Sequence, residues 1–235
     1  MNSQALARHV ALLSALCVPP AHAGRPMTAD DAGILDPRQC QLETWIQHDR
    51  RQTEYWAVPA CNVAGHWELA AGAARVRPAG GGAGDTLALL QAKTILRAPD
   101  DGDGWALGLV LGNQFRPAGR LAGDLSANVP LTVALADTHT LLHANLGALR
   151  ERDGERGPSL QATWALGIET EIGERAAVTF EGFGRQRGPA YFQLGARYTL
   201  ITGRADIDIS YGNRASLRGK DRFVAIGLTL CTGLD

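Results

Sequence analysis

The sequence predicts an all-β fold: a closed antiparallel up-and-down transmembrane β-barrel of about twelve strands, exported behind a cleaved signal peptide. Three observations predict it. Segments of about ten residues alternate apolar and polar side chains, breaks rich in Gly, Pro, Asp or Arg separate them, and the breaks alternate between short and long. Charge points to no polyanionic partner: the formal net charge is -1 with a pI near 6.6, so nucleic acid is not expected.

Residues 1–23 read as a secretory signal. Arg8 and His9 precede a largely apolar run from Val10 to Val18, and Ala21-His22-Ala23 offers a small-residue cleavage site. About nine residues cannot cross ~30 Å of hydrocarbon as a helix, which excludes an anchor here. Residues 24–38 have no alternation and form an N-terminal segment, periplasmic or plugging the barrel. Residues 39–235 form the barrel itself.

Alternation places strands near 39–48, 54–62, 66–75, 86–97, 105–115, 123–135, 139–149, 159–172, 176–185, 191–200, 204–211 and 222–231. Their length matches the 9 to 11 residues that a tilted strand needs to cross a bilayer. The clearest faces are Leu160, Ala162, Trp164, Leu166 and Ile168; Phe192, Leu194, Ala196, Tyr198 and Leu200; and Leu125, Ala127, Val129, Leu131 and Val133. None carries a charge. Leu87 to Leu96 and Thr140 to Leu149 also satisfy helical spacing, but neighbouring segments give a helix nothing to pack on, so both are read as strands. A soluble β-sandwich is the main alternative fold, because alternation alone does not say which face is wet.

The connections near 63–65, 98–104, 136–138, 173–175 and 201–203 are short, and the intervening ones are longer and basic. In outer-membrane barrels the long loops lie outside the cell. Arg116, Arg120, Arg150, Arg152, Arg185, Arg187, Arg214 and Arg218 then form an outer rim whose guanidinium groups suit the phosphates of lipopolysaccharide. Solvated loop charge is the bland alternative.

With the uncharged faces against lipid, the opposite faces enclose Glu43, Glu68, Lys93, Arg97, His143, Glu169, Glu171, Glu181, Arg197, Asp206 and Asp208. Such groups either pair across the lumen or face water. Ala106, Gly108, Gly112, Gly147, Gly167, Gly195 and Gly227 point the same way and leave room for water, a ligand or the segment 24–38.

Cys40 and Cys61 flank the first hairpin at one barrel end, and a disulfide is expected between them. Strict alternation sets Cys40 on the face of Leu42 and Cys61 opposite the face of Val58, so the bridge calls for a bulge, which Pro59 supplies. Cys231 is left free. No cofactor or metal site is expected. His139 and His143 lie about 13 Å apart along one strand, and Asp100-Asp101-Gly102-Asp103-Gly104 lacks the distal Glu of a calcium loop. His143-Ala144-Asn145-Leu146-Gly147 has the outline of a phospholipase His-x-Ser-Asn-Gly run without the nucleophilic Ser, and a base then has nothing to activate.

Arg25-Pro26-Met27-Thr28-Ala29-Asp30-Asp31-Ala32-Gly33, Gln41-Leu42-Glu43, Val58-Pro59-Ala60-Cys61-Asn62 and Tyr211-Gly212-Asn213 resemble the predicted outer-membrane barrels named for the MetA pathway of phenol degradation. The resemblance spans nearly all of the mature chain. It implies a porin- or transporter-type barrel taking up small, aromatic or hydrophobic molecules. The ending departs from the common barrel pattern, since Cys231-Thr232-Gly233-Leu234-Asp235 stands where a terminal aromatic is usual; Gly227, Leu228 and Leu230 keep part of the signal read by the barrel-assembly machinery.

Three functions follow in order. The first is passage or binding of small molecules, the second a closed structural barrel binding lipopolysaccharide, and the third a lipid-modifying enzyme. The expected location is the bacterial outer membrane.

Overall fold

The computed structural model describes residues 25–99, 104–119, 121–135, 139–152, 157–216 and 221–233. Residues 1–23, read above as a signal segment, and Arg120, Arg218 and Asp100 to Asp103 lie outside the described residues. Twelve strands are formed: β1 (Gln39–Asp49), β2 (Gln52–Asn62), β3 (Glu68–Pro78), β4 (Asp85–Arg97), β5 (Trp105–Phe115) and β6 (Asp124–Ala134), then β7 (Thr140–Glu151), β8 (Ser159–Ile172), β9 (Ala176–Arg185), β10 (Tyr191–Ile201), β11 (Ala205–Arg214) and β12 (Phe223–Gly233). Each pairs antiparallel with its sequence neighbours, and β1 closes on β12 in unbroken register from Gln39↔Gly233 to Asp49↔Phe223. Both segments open to a helical reading, β4 and β7, are strands. Full closure leaves no free sheet edge, which is what a backbone in hydrocarbon requires.

The short connections turn on glycines in the left-handed region, Gly173 at φ 68° and Gly203 at φ 70°, where a side chain would be strained. The outer face is an apolar belt in which Leu146, Leu160 and Leu166 are 71, 67 and 61% exposed. So large an exposed apolar surface is stable only against lipid.

The interior is not polar throughout, as the expected charged and small inward residues alone would make it. Trp45 stacks on Trp56 with ring centroids 5.3 Å apart. Around them Leu35, Val58, Ala60, Ala70, Ala74, Leu87 and Leu89 form an apolar core inside the barrel, along β1 to β4. The reason is that β2 is apolar on both faces from Tyr55 to Ala60, so alternation within that stretch cannot tell inside from outside. Pairing decides it: Ala60 lies opposite Ala70, which shares a face with the buried Glu68.

The same assignment settles the cysteines. With Val58 facing inward, Cys61 faces outward, directly opposite Cys40 in a continuous β1–β2 register, and the two are joined by a disulfide with Cα atoms 4.1 Å apart. The expected bulge at Pro59 is absent from that pairing. Cys231 is free.

Candidate functional site

Residues 25 to 35 run along the inner wall of the barrel as a collar, touching the strands in order. Asn62 on β2 donates to the Leu35 carbonyl at 2.6 Å, and the Leu35 N–H donates to Glu68 on β3 at 2.8 Å. The Ala32 N–H donates to Thr132 on β6 at 2.9 Å. Asn145 on β7 accepts from the Asp30 N–H and donates to its carbonyl, both at 2.7 Å. Glu181 on β9 accepts from the N–H groups of Thr28 and Ala29 at 2.6 and 2.7 Å. Gln193 on β10 donates to the Pro26 carbonyl. Arg25 reaches Asp208 on β11 at 3.3 Å and lies 4.7 Å over the Trp45 ring on β1.

A chain without secondary structure carries unsatisfied backbone groups, and burial would normally forbid it. Here the barrel wall supplies a side-chain partner for them strand by strand. Lys93 of β4, 3% exposed, adds the strongest tie: its ammonium lies 2.7 Å from both Asp30 and Asp31. His143 is 3.0 Å from the Thr132 hydroxyl, which it orients toward the Ala32 N–H. Four of the small inward residues mark the track of the collar. A Cβ at Gly195 would lie 2.6 Å from Pro26 Cγ, and one at Gly108 3.2 Å from the Ala32 carbonyl. Met27 fills the space over Gly167, and Arg25 that over Gly227.

Glu68, Lys93, His143, Glu181 and Asp208 thus meet the collar directly or through one partner. Glu169 and Arg197 pair with each other across β8 and β10, Glu43 accepts from Gln41 at 3.4 Å, and Asp206 is 8% exposed. Two expected lumen residues lie elsewhere. A bulge between Ile95 and Arg97 puts Arg97 opposite Leu107, on the outward register; its guanidinium lies 3.6 Å over the Trp105 ring. Glu171 has inward parity but sits at the short-turn mouth, its side chain 43% exposed and 3.6 Å from His139. Thr132 and Asn62 were not singled out from the sequence. Both share a face with other polar inward residues, but nothing in their spacing marks them as backbone acceptors and donors.

Beyond the collar, toward the long loops, lies a cavity of about 880 Å³ whose lining includes Thr28, Asn128, Asn145, Gln161, Thr163 and the stacked pair Phe183 and Tyr191. At its mouth Arg185 pairs with Glu151, and Arg187 is exposed. The other described rim arginines are mixed. Arg116 and Arg214 pair with Asp85 and Asp221 at 2.5 Å, Arg152 donates to the Ala122 carbonyl at 2.6 Å, and Arg150 is exposed.

Residues 11–232 match the family described as "Uncharacterised conserved protein UCP029691". The chain belongs to that family. None of the curated proteins matches it in sequence. Among solved structures it is similar to the KdgM porin, at 6% identity and TM-score 0.59, over 81% of this chain and 98% of that one. The NanC porin gives 10% identity, TM-score 0.59 and the same coverage. The COG4313 outer membrane channel from Pseudomonas putida F1 gives 11% identity and TM-score 0.59, covering 85% of this chain and 97% of that one. At these identities the likeness is one of fold. With the apolar belt and full closure it makes the family member described here a porin-like β-barrel of the bacterial outer membrane. None of these matches links the chain to the MetA pathway.

Proposed function

We propose that this barrel passes small polar molecules across the outer membrane, with residues 25–35 as its constriction and the cavity beyond them as its entrance. The observation that supports this most is the collar itself. Wall side chains from β3, β6, β7 and β9 hold it, and it ends a cavity of about 880 Å³ at Thr28. The cavity lining is mixed, with Asn128, Asn145, Gln161 and Thr163 beside Val110, Leu149 and the stacked Phe183 and Tyr191, and the charged Glu151 and Arg185 at its mouth favour polar solutes. Uptake of aromatic or hydrophobic compounds has the sequence resemblance and the stacked Phe183 and Tyr191 of that lining behind it.

The test is ion conductance in planar bilayers, comparing the mature chain with one lacking residues 24–38. A small or absent current in the first and a larger, steady one in the second is the expected result. Absence of current in both, with the shortened chain shown folded by heat-modifiable migration, overturns the proposal.

A closed barrel whose loops bind lipopolysaccharide is the second reading, favoured by the exposed Arg150 and Arg187. It predicts lipopolysaccharide binding without conductance in either chain. The enzyme reading on His143 is weaker still, because that imidazole is 5% exposed and faces Thr132 inside the wall, away from lipid.

A further inference from the structure

The deep wall of the lumen is unbalanced in charge. Glu43, Glu68, Glu169, Glu181, Asp206 and Asp208 face inward, and the cations that share that depth of wall among the described residues are Lys93 and Arg197. The collar does not correct the imbalance, because it brings Arg25 together with both Asp30 and Asp31. What the collar offers the wall carboxylates is donors: the N–H groups of Thr28, Ala29 and Leu35 and the guanidinium of Arg25.

Three further buried oxygens of the wall stand without a partner among the described residues, Gln161 Oε1 and two hydroxyls. The hydroxyls of Thr179, beside Glu181 on the same face of β9, and of Ser210, beside Asp208 on the same face of β11, make no hydrogen bond, and these residues are 4 and 3% exposed. Carboxylates, together with hydroxyl oxygens that lack a donor, are what a cation or an amine requires. A lumen walled by low-dielectric barrel and lipid focuses such a field rather than screening it.

We infer that the lumen is selective for cations, and that its permeants are cationic or amine-bearing small molecules. This rests on the conducting reading above and names its substrate class. An excess of four carboxylates, each about 10 Å from a permeating ion in wet surroundings, gives a cation-to-anion permeability ratio on the order of ten or more. Glu43 and Asp206 are the determinants that can be changed without touching the collar. They flank Thr229 on neighbouring strands, and neither bonds to residues 25–35.

The experiment is the K⁺ to Cl⁻ permeability ratio, taken from the reversal potential under a KCl gradient, for the chain lacking residues 24–38 once its heat-modifiable migration shows that it folds. A ratio near ten or above is expected, falling several-fold toward one in the Glu43→Gln, Asp206→Asn double variant. Neutral or chloride-favouring current, or a double variant with the ratio unchanged, overturns the inference while leaving conduction intact. If no current flows, conduction has failed, and the acidic wall is then read by calorimetric titration of the detergent-solubilised shortened barrel with spermidine. Binding that weakens at least ten-fold in the double variant supports the cationic ligand class; no binding overturns it.

Discussion

Replacing Lys93 by Met would release the collar more than any other single change. The ammonium is 3% exposed and lies 2.7 Å from the carboxylates of both Asp30 and Asp31. Removing one partner of a buried ion pair costs about 3–5 kcal/mol, because the remaining charge is left without compensation in a poor solvent. The Asp30 side chain keeps 23% exposure, so water relieves part of that cost and the lower end applies. About 3 kcal/mol corresponds to a loosening of roughly 150-fold. Amide hydrogen exchange of the mature chain in detergent reads it directly, since the N–H groups of Asp30 and Ala32 are protected only while the collar is seated on Asn145 and Thr132. Their protection should drop by about two orders of magnitude in Lys93→Met, with β-strand amides unchanged. Adding Asp30→Asn and Asp31→Asn should restore most of it, because removing every member of a buried charge group is close to neutral. Unchanged protection in the single variant, or a triple variant as loose as the single one, would refute the argument that this ion pair holds the collar.

Two other perturbations test separate parts of the structure. Gly195→Val places atoms within 2.6 Å of Pro26 Cγ and should displace the first residues of the collar, seen as protease cleavage between residues 25 and 30, whereas Gly80→Ala, with open space around it, should not; equal cleavage in both would dismiss the glycine track. The Cys40–Cys61 bridge closes a loop with a sequence separation of 21, worth about 3 kcal/mol on chain entropy. The Cys40→Ala, Cys61→Ala double variant should therefore lose its heat-modifiable migration at a lower temperature, as should the native chain under reductant; coincident transitions would show that the hairpin needs no staple.

Strands were legible in the sequence wherever one face was apolar and the other was not. The lipid faces of β8 and β10 could be read from the strand as a whole, because Leu160, Leu166 and Ile168 lie opposite a face carrying Gln161, Glu169 and Glu171, and Leu194 and Tyr198 opposite one carrying Gln193 and Arg197. β2 defeats the same reasoning. Between Tyr55 and Ala60, Trp56, Val58 and Ala60 alternate with Tyr55, Ala57 and Pro59, so burial of either set satisfies the pattern there; the polar Glu54 and Asn62 on the face of the first set and the pairing with β3 choose. That single ambiguity hid both the apolar quadrant of the lumen and the straightforward geometry of the disulfide. Arg97 was misplaced for a related reason: one extra residue at a bulge reverses every later side chain of its strand, and Ile95-Leu96-Arg97 contains no Gly or Pro to announce it.

The collar was only half visible, and the missing half explains why. Small inward residues such as Gly167 and Gly195 signalled space, and the aperiodic stretch before β1 was a candidate to fill it. What could not be read was the path, since it is fixed by backbone N–H groups, which every residue has, meeting acceptors that alternation identifies only as polar and inward. Glu68, Thr132, Asn145 and Glu181 lie on β3, β6, β7 and β9, spread over more than a hundred residues, and the curl of the closed barrel brings them to one continuous track. The same closure sets Glu43, Asp206 and Asp208 on strands at opposite ends of the chain yet side by side in the wall. The charge balance that would govern permeation is thus a property of the closed barrel and of no single strand within it.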